Sequence, residues 1–144
     1  MHDDPVHFTD QLRDLVHDLK AQTQSRLQAE GLGLSHMEAR ALTFFAGHPG
    51  ACQADLVQAS HRDKAQVTRT VRELSERGLL ERAEVEGDRR SYGLRLTEAG
   101  KRLQLEVKAQ RRKLAETMLD GLSEEQRRTL AGLLEHLRTN VAQK

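Results

Sequence analysis

The sequence predicts a mostly α-helical fold that contains one small β-hairpin. Apolar residues recur at helical spacing along most of the chain, and helix-start signals precede several of these segments. One short segment instead alternates apolar and charged residues on either side of Gly87 and Asp88, as a hairpin does. With 144 residues, of which 37% are hydrophobic and 31% charged, the chain suits about one globular domain.

The basic residues are concentrated in the middle of the chain. Residues 61–112 contain 14 Lys/Arg against 9 Asp/Glu, whereas the remainder contains 9 against 13. This asymmetry favours a polyanionic partner for the central segment, although a solvated mixed-charge surface would have the same composition. No apolar run approaches the roughly 20 residues that cross a bilayer, no secretory signal pattern is present, and a single cysteine excludes an internal disulfide. We therefore expect a cytoplasmic protein without a membrane partner.

The first two helices are predicted from apolar spacing and a capping signal. One face of the first helix carries Phe8, Leu12, Leu15, Val16 and Leu19. The segment EGLGL at residues 30–34 ends it. Ser35 and Glu38 then have the spacing of a capping box, so a second helix should run to the GHPG turn at residues 47–50.

Two short helices follow and form a helix-turn-helix candidate. The third helix covers QADLVQAS at residues 53–60, and the fourth starts after Asp63, which has capping-box spacing with Gln66, and ends at Gly78. The buried side of the fourth helix is predicted to carry Val67, Val71 and Leu74. Many helical bundles contain such a pair, so this signal alone is weak.

The hairpin comes next and makes the pattern specific. Ala83 and Val85 alternate with charged residues on the first strand, and Tyr92, Leu94 and Leu96 alternate on the return. Thr97 should cap a long helix over residues 98–120, and Ser123 with Gln126 a last helix. The expected core face of that helix carries Leu130, Leu133, Leu134, Leu137 and Val141. A helix-turn-helix followed directly by a hairpin is a winged-helix module, which places its second helix in the DNA major groove.

The outer face of the fourth helix supplies candidate DNA contacts. They are Lys64, Ala65, Gln66, Thr68, Arg69 and Arg72. Arg69 can pair bidentately with guanine, Gln66 can pair with adenine, and Ala65 or Thr68 can contact a thymine methyl group. Lys64, Arg72 and Thr70 are better placed for phosphates. A merely solvated helix face is the alternative interpretation.

The hairpin tip adds Asp88, Arg89 and Arg90 to these candidates. A narrow minor groove attracts an inserted arginine because its negative potential is enhanced. The Asp88 carboxylate could hold Arg90 extended by a charge-assisted hydrogen bond, and Arg89 suits a phosphate.

These segments resemble the winged-helix core of the MarR (multiple-antibiotic-resistance regulator) family. The matching residues are Leu74, Gly78 and Leu79 where the recognition helix ends, Asp88 and Arg90 in the wing, and Leu96, Thr97 and Gly100 in the closing Leu-Thr-x-x-Gly motif. The resemblance covers the whole chain in element order. It implies one domain over residues 1–144, with a winged helix-turn-helix DNA-binding lobe at 31–97 and dimerisation helices at 1–30 and 98–144.

The resemblance also implies a function. Family members are homodimers that bind pseudo-palindromic double-stranded DNA, and most are repressors released by a small anionic or phenolic effector, an oxidant or a metal. An effector pocket is expected between the first, second and fifth helices, with Arg13, His17, Met37, Arg40 and Phe44 as candidate lining residues. Core packing or solvated charge would be their alternative roles. No cofactor is expected.

Other functions are weaker alternatives. Cys52 stands where the family usually has Ser or Thr at the start of the third helix, so a thiol-based redox-sensing regulator is one alternative, and a neutral replacement is another. No histidine pair has metal-ligand spacing, so no metal site is predicted. Without a serine elbow, a zinc signature or a phosphate-binding glycine motif, an enzyme is not expected. A helical protein–protein adaptor that does not bind DNA is the remaining alternative.

Arg90→Ala should weaken operator binding more than Arg95→Ala. Arg90 is placed for the minor groove, whereas Arg95 lies at the root of the hairpin. A gel-shift series at fixed salt measures both variants, and equal affinities would contradict the assignment of Arg90.

Overall fold

The computed structural model describes residues 3–83 and 92–142. The elements are α1 (Pro5–Ala29), α2 (His36–Gly47), α3 (Gln53–Ser60), α4 (Lys64–Glu76), β1 (Leu80–Ala83), β2 (Gly93–Leu96), α5 (Glu98–Leu119) and α6 (Glu124–Ala142). This order confirms the predicted mostly α-helical fold with a small β-hairpin. The chain forms two compact units, residues 1–111 and 112–144.

Side-chain caps start the helices where the sequence predicts them. Ser35 accepts from the backbone N–H of Glu38 at 3.1 Å, and Glu38 accepts from the backbone N–H of Ser35 at 3.0 Å, so the predicted capping box of α2 is confirmed. The other oxygen of the Glu38 carboxylate accepts from Arg77 at 3.2 Å, and Arg77 also donates to the Gly33 carbonyl at 2.9 Å. The end of α4 is thereby held against the start of α2.

Helix α4 has a cap that differs in detail from the prediction. Asp63 accepts from the backbone N–H of Gln66 at 2.7 Å, but the described residues show no return bond from the Gln66 side chain, so only half of the expected capping box forms. The apolar side of α4 is buried as predicted, with Val67 and Leu74 at 0% exposure. Gly78 ends the helix with a φ of 74°, a conformation that glycine adopts without penalty.

The hairpin starts earlier than the alternation suggested. Leu80 pairs with Leu96 and Ala83 with Gly93 in an antiparallel register, so β1 begins three residues before Ala83. Val85 lies outside the described residues. On its other edge, β2 bonds the loop before α3: the N–H of Leu94 donates to the Ala51 carbonyl at 2.8 Å, and Gly50 donates back to Leu94 at 2.9 Å. The hairpin therefore holds the start of the helix-turn-helix.

The first turn of α5 packs directly on the turn that follows α4. The Thr97 hydroxyl accepts from the backbone N–H of Gly100 at 3.0 Å, which confirms the predicted cap, and donates to the Gly78 carbonyl at 2.6 Å. The backbone N–H of Thr97 donates to the Leu79 carbonyl at 3.1 Å. A Cβ at position 100 would lie 2.2 Å from that same carbonyl oxygen, so the approach requires glycine.

The buried core belongs to the first unit and extends from α1 to α5. Its largest fully buried side chains are Phe45, Leu27, Leu42, Leu56, Leu74, Val67 and Val107. Helix α6 has the predicted capping box of Ser123 and Gln126, but none of its residues is buried. Its expected core face is exposed in the single chain, with Leu133 at 57% and Val141 at 77%. The periodicity identified an apolar face correctly but could not tell what covers it.

Gly100→Ala should destabilise the protein by about 1–3 kcal/mol, because the added methyl group overlaps backbone atoms that cannot move aside independently. The matched control is Gly132→Ala in α6, where a Cβ meets nothing within 4 Å. That substitution should stabilise by about 0.5–1 kcal/mol through helix propensity. Urea unfolding measures both, and a Gly100→Ala variant as stable as the parent would contradict the close contact.

Candidate nucleic-acid interface and the neighbouring cavity

The helix-turn-helix is formed by α3, a three-residue turn and α4. His61 in the turn has a φ of 55°, the left-handed conformation that reverses the chain between the two helices. Val67 and Leu74 lie on the buried side of α4, so the opposite side faces solvent. The turn and the core together determine which residues of α4 a partner can reach.

The six residues named on α4 lie on its accessible side. Five are exposed and Gln66 is half-buried: Lys64, Ala65, Gln66, Thr68, Arg69 and Arg72. None of the three basic members forms an ion pair with another described residue. Thr70 is different, since it is 5% exposed and its hydroxyl donates to the Gln66 carbonyl at 3.0 Å. The expected phosphate contact by the Thr70 side chain is therefore wrong, because this side chain is buried and its hydroxyl is bonded within α4.

Gln53 joins this surface although its sequence position did not single it out. Its side-chain amide donates to the hydroxyl of Thr68, which in turn donates to the Lys64 carbonyl at 2.8 Å. The first residue of α3 is thus tied to the second turn of α4. The one available sequence signal was that Gln53 begins the helix preceding the recognition helix.

Two side-chain contacts define the root of the wing. Arg95 of β2 forms an ion pair with Glu81 of β1 at 2.9 Å, between directly paired positions. The guanidinium of Arg82 lies 3.9 Å from the centre of the Tyr92 ring, a cation–π contact. Asp88, Arg89 and Arg90 lie outside the described residues.

A cavity of about 410 Å³ lies within the first unit. It is lined by Thr23, His36, Ala39, Arg40, Thr43, Phe44, Leu56, Ala59, Val107 and Arg111. Arg40 and Phe44 were expected there. Met37 is 7% exposed and packs in the core, and Arg13 and His17 are exposed residues of α1 outside the lining. Sequence spacing missed His36 and Arg111, since only tertiary packing brings α5 to α2.

The Cys52 thiol donates to the Asp55 carboxylate at 3.3 Å, and the backbone N–H of Cys52 donates to the same oxygen at 2.9 Å. These two bonds lower the pKa of Asp55. The side chain that caps α3 is therefore Asp55, and a thiolate at Cys52 would face a carboxylate. This arrangement gives no support to the redox alternative. Among the described residues, no three His, Cys, Asp or Glu side chains form a group that could hold a metal ion.

Comparison with known proteins places these features in a family. Residues 32–91 match the model of the MarR family. The chain is 30% identical over 111 residues to YdgJ, an HTH-type transcriptional regulator of Bacillus subtilis, an alignment that covers 77% of this chain and 66% of the relative's length. No helix of the described residues is long and apolar enough to span a membrane.

Solved structures agree along almost the whole chain. A MarR/EmrR family regulator from Acinetobacter sp. ADP1 superposes with a TM-score of 0.83 at 25% identity, covering 96% of each chain. A MarR-family regulator from Listeria monocytogenes, crystallised with a 26-mer DNA, gives 0.82 at 18% identity, covering 93% of this chain and 88% of that one. With its helix-turn-helix, its hairpin and its closing Leu96-Thr97…Gly100 motif, the chain belongs to the MarR family of winged helix-turn-helix transcriptional regulators.

Proposed function

We propose that this chain is a sequence-specific DNA-binding transcriptional regulator that acts as a homodimer in the cytoplasm. The observation that carries the proposal is the basic outer face of α4, whose Lys64, Arg69 and Arg72 have no acidic partner among the described residues. An exposed helix that follows a tight turn and carries these basic residues has the arrangement of a helix that binds in the major groove. The DNA-bound structure of the Listeria relative supports the same use of this fold.

The residues on this face have different roles in the proposal. Arg69 contacts base edges, because its position on the exposed side allows a bidentate approach to guanine. Lys64 and Arg72 contact phosphates and orient the helix. The hydroxyl of Thr68 is engaged by hydrogen bonds to Gln53 and to the Lys64 carbonyl. The methyl group of Thr68 is therefore the part proposed to contact a thymine methyl group. Asp88, Arg89 and Arg90 remain proposed minor-groove and phosphate contacts.

Dimerisation is proposed from the exposed apolar residues of the terminal helices. Val6, Phe8, Leu15 and Val16 of α1 are 44–64% exposed. The corresponding residues of α6 are 38–77% exposed: Leu130, Leu133, Leu134 and Val141. Apolar faces of this extent on soluble proteins mark interaction surfaces. A second copy would cover both faces and space two recognition helices by about 34–36 Å, one turn of DNA.

Repression with release by a small effector completes the proposal. The 410 Å³ cavity falls in the size range of small-molecule sites and combines apolar walls with the bases Arg40 and Arg111. An anionic or phenolic compound matches that lining. Release of DNA from the recombinant protein by such compounds, measured with a labelled operator fragment, tests this part of the proposal.

Arg69→Ala and Arg72→Ala should weaken DNA binding in different ways. Arg69→Ala should lose roughly 1–3 kcal/mol of discrimination between operator and random DNA, whereas Arg72→Ala should weaken binding to both and reduce the salt slope by about one. Fluorescence anisotropy against both DNAs between about 50 and 200 mM salt measures this, and the parent should lose roughly 10³–10⁵ in affinity over that range. Arg138→Ala on α6 controls for net charge. Salt-independent binding would overturn the regulator proposal.

Leu134→Asp should convert the dimer to a monomer, because it places a charge in the middle of the apolar face of α6. Thr139→Asp is the matched control on the opposite side of the same helix. Sedimentation velocity distinguishes the two states. A parent protein that sediments as a monomer would remove dimerisation from the proposal.

A further inference from the structure

A hydrogen bond between the two helices of the helix-turn-helix ends on a side chain of the exposed face of α4. The amide of Gln53, the first residue of α3, donates from Nε2 to the hydroxyl oxygen of Thr68. Gln53 is half-buried and Thr68 is exposed. The bond therefore lies at the border between the protein interior and the surface proposed to meet DNA.

The side chain of Gln53 is available for this contact because other residues cap both helices. Asp55 accepts from the backbone N–H of Cys52 at 2.9 Å at the start of α3. Asp63 accepts from the backbone N–H of Gln66 at 2.7 Å at the start of α4. The bond from Gln53 to Thr68 thus adds a contact that neither cap requires.

The hydrogens of Thr68 and Gln53 can be assigned from these contacts. A threonine hydroxyl has one hydrogen to donate and accepts through its lone pairs. Thr68 donates its hydrogen to the Lys64 carbonyl at 2.8 Å. Gln53 must therefore supply a donor, which turns its Nε2 rather than its Oε1 toward Thr68. While both bonds are intact, the hydroxyl of Thr68 has no hydrogen left for a DNA base.

The bond from Gln53 distinguishes Thr68 from other threonines in the helices. Five of these also donate to the carbonyl four residues earlier: Thr23, Thr43, Thr70, Thr117 and Thr139. None of these five hydroxyls accepts from another side chain of the described residues. A helical threonine has two accessible χ1 rotamers, because its oxygen can reach either carbonyl of the preceding turn. A second bond, from a different helix, holds the oxygen of Thr68 in one of them.

We propose that Gln53 is a positioning residue for operator recognition, which leaves the methyl group of Thr68 as the part that reads a base and so requires a thymine in each half-site. The inference rests on the proposed DNA-binding function and adds to it a base and a residue outside α4. A free threonine hydroxyl can bond to several bases, whereas a methyl group packs against the C5-methyl group of thymine. Holding the hydroxyl therefore makes this position more selective.

The test uses the full-length protein and an operator that the parent protein selects from random DNA. Each thymine is replaced in turn by uracil, which lacks only the C5-methyl group. Fluorescence anisotropy at fixed salt should identify a position in each half-site where the parent loses about fourfold in affinity, the ratio that burial of one methyl group supports. Thr68→Ser keeps the hydroxyl and lacks the methyl group, so it should bind thymine and uracil duplexes equally at that position.

Variants of Gln53 test the positioning role. Gln53→Ala should reduce the thymine-to-uracil ratio from about fourfold to roughly twofold, as two equally populated rotamers of Thr68 would give. Gln53→Met, which has a similar length and no donor, should do the same, so an effect of truncation alone is recognised. Gln58→Ala removes an exposed amide of the same helix and should keep the parental ratio.

A double-mutant cycle shows whether Gln53 acts through the hydroxyl of Thr68. Thr68→Val has a similar shape but no hydroxyl, so adding Gln53→Ala to it should leave the thymine-to-uracil ratio unchanged. A residue that merely supports α4 would lower affinity in both backgrounds and for both duplexes.

Each outcome has a distinct meaning. A parental ratio in Gln53→Ala and Gln53→Met would overturn the positioning role. An equal loss of affinity for thymine and uracil duplexes would also overturn it, since Gln53 would then contact a phosphate or support the helix. A changed ratio on adding Gln53→Ala to Thr68→Val would exclude the hydroxyl as the route. If the parent selects no DNA, the proposed function fails, and this inference with it.

Discussion

The contact between the first turn of α5 and the turn after α4 is the constraint on which the first unit depends. Thr97 bonds the Gly78 carbonyl and the N–H of Gly100, and its own backbone bonds the Leu79 carbonyl. Because Gly100 has no side chain, the two backbones meet at a distance that no other residue allows. One short segment therefore joins the end of the recognition helix, the hairpin and the long helix. The closing Leu-Thr-x-x-Gly motif is therefore explained by this contact, in which Thr97 supplies the hydrogen bonds and Gly100 allows the close approach.

Two further contacts connect the helix-turn-helix to its surroundings. The ion pair of Arg77 with Glu38 ties the end of α4 to the capping box of α2, in a setting where the carboxylate is only 13% exposed. Because this carboxylate is largely shielded from solvent, the pair is screened less by salt than the exposed pairs of the described residues. The bonds of Leu94 to Gly50 and Ala51 connect the hairpin to the start of α3. The helix-turn-helix and the described part of the hairpin consequently form one body.

The cavity lies beside this body and shares elements with it. Its lining includes Leu56 and Ala59 of α3, the helix that precedes the recognition helix, and the carbonyl of Ala59 holds the guanidinium of Arg40. A ligand that draws Arg40 toward itself would compete with that bond. The bond between Arg40 and Ala59 thus connects the lining of the cavity to α3. In the proposed regulator, this link is the element that an effector would bias.

The order of the helices and the hairpin, and most of the helix ends, could be predicted from the sequence alone. Helical spacing, the caps at Ser35, Thr97 and Ser123, and the turn at Gly78 gave the element order, because these signals act over a few residues of the same chain. The same applies to the exposed side of α4, since Val67 and Leu74 show which side is buried. Tertiary structure decided the rest. It buried Thr70, started β1 at Leu80, tied Gln53 to Thr68 and brought His36 and Arg111 to one cavity. These outcomes depend on which distant segments meet, and helical periodicity carries no information about the partner that covers a face.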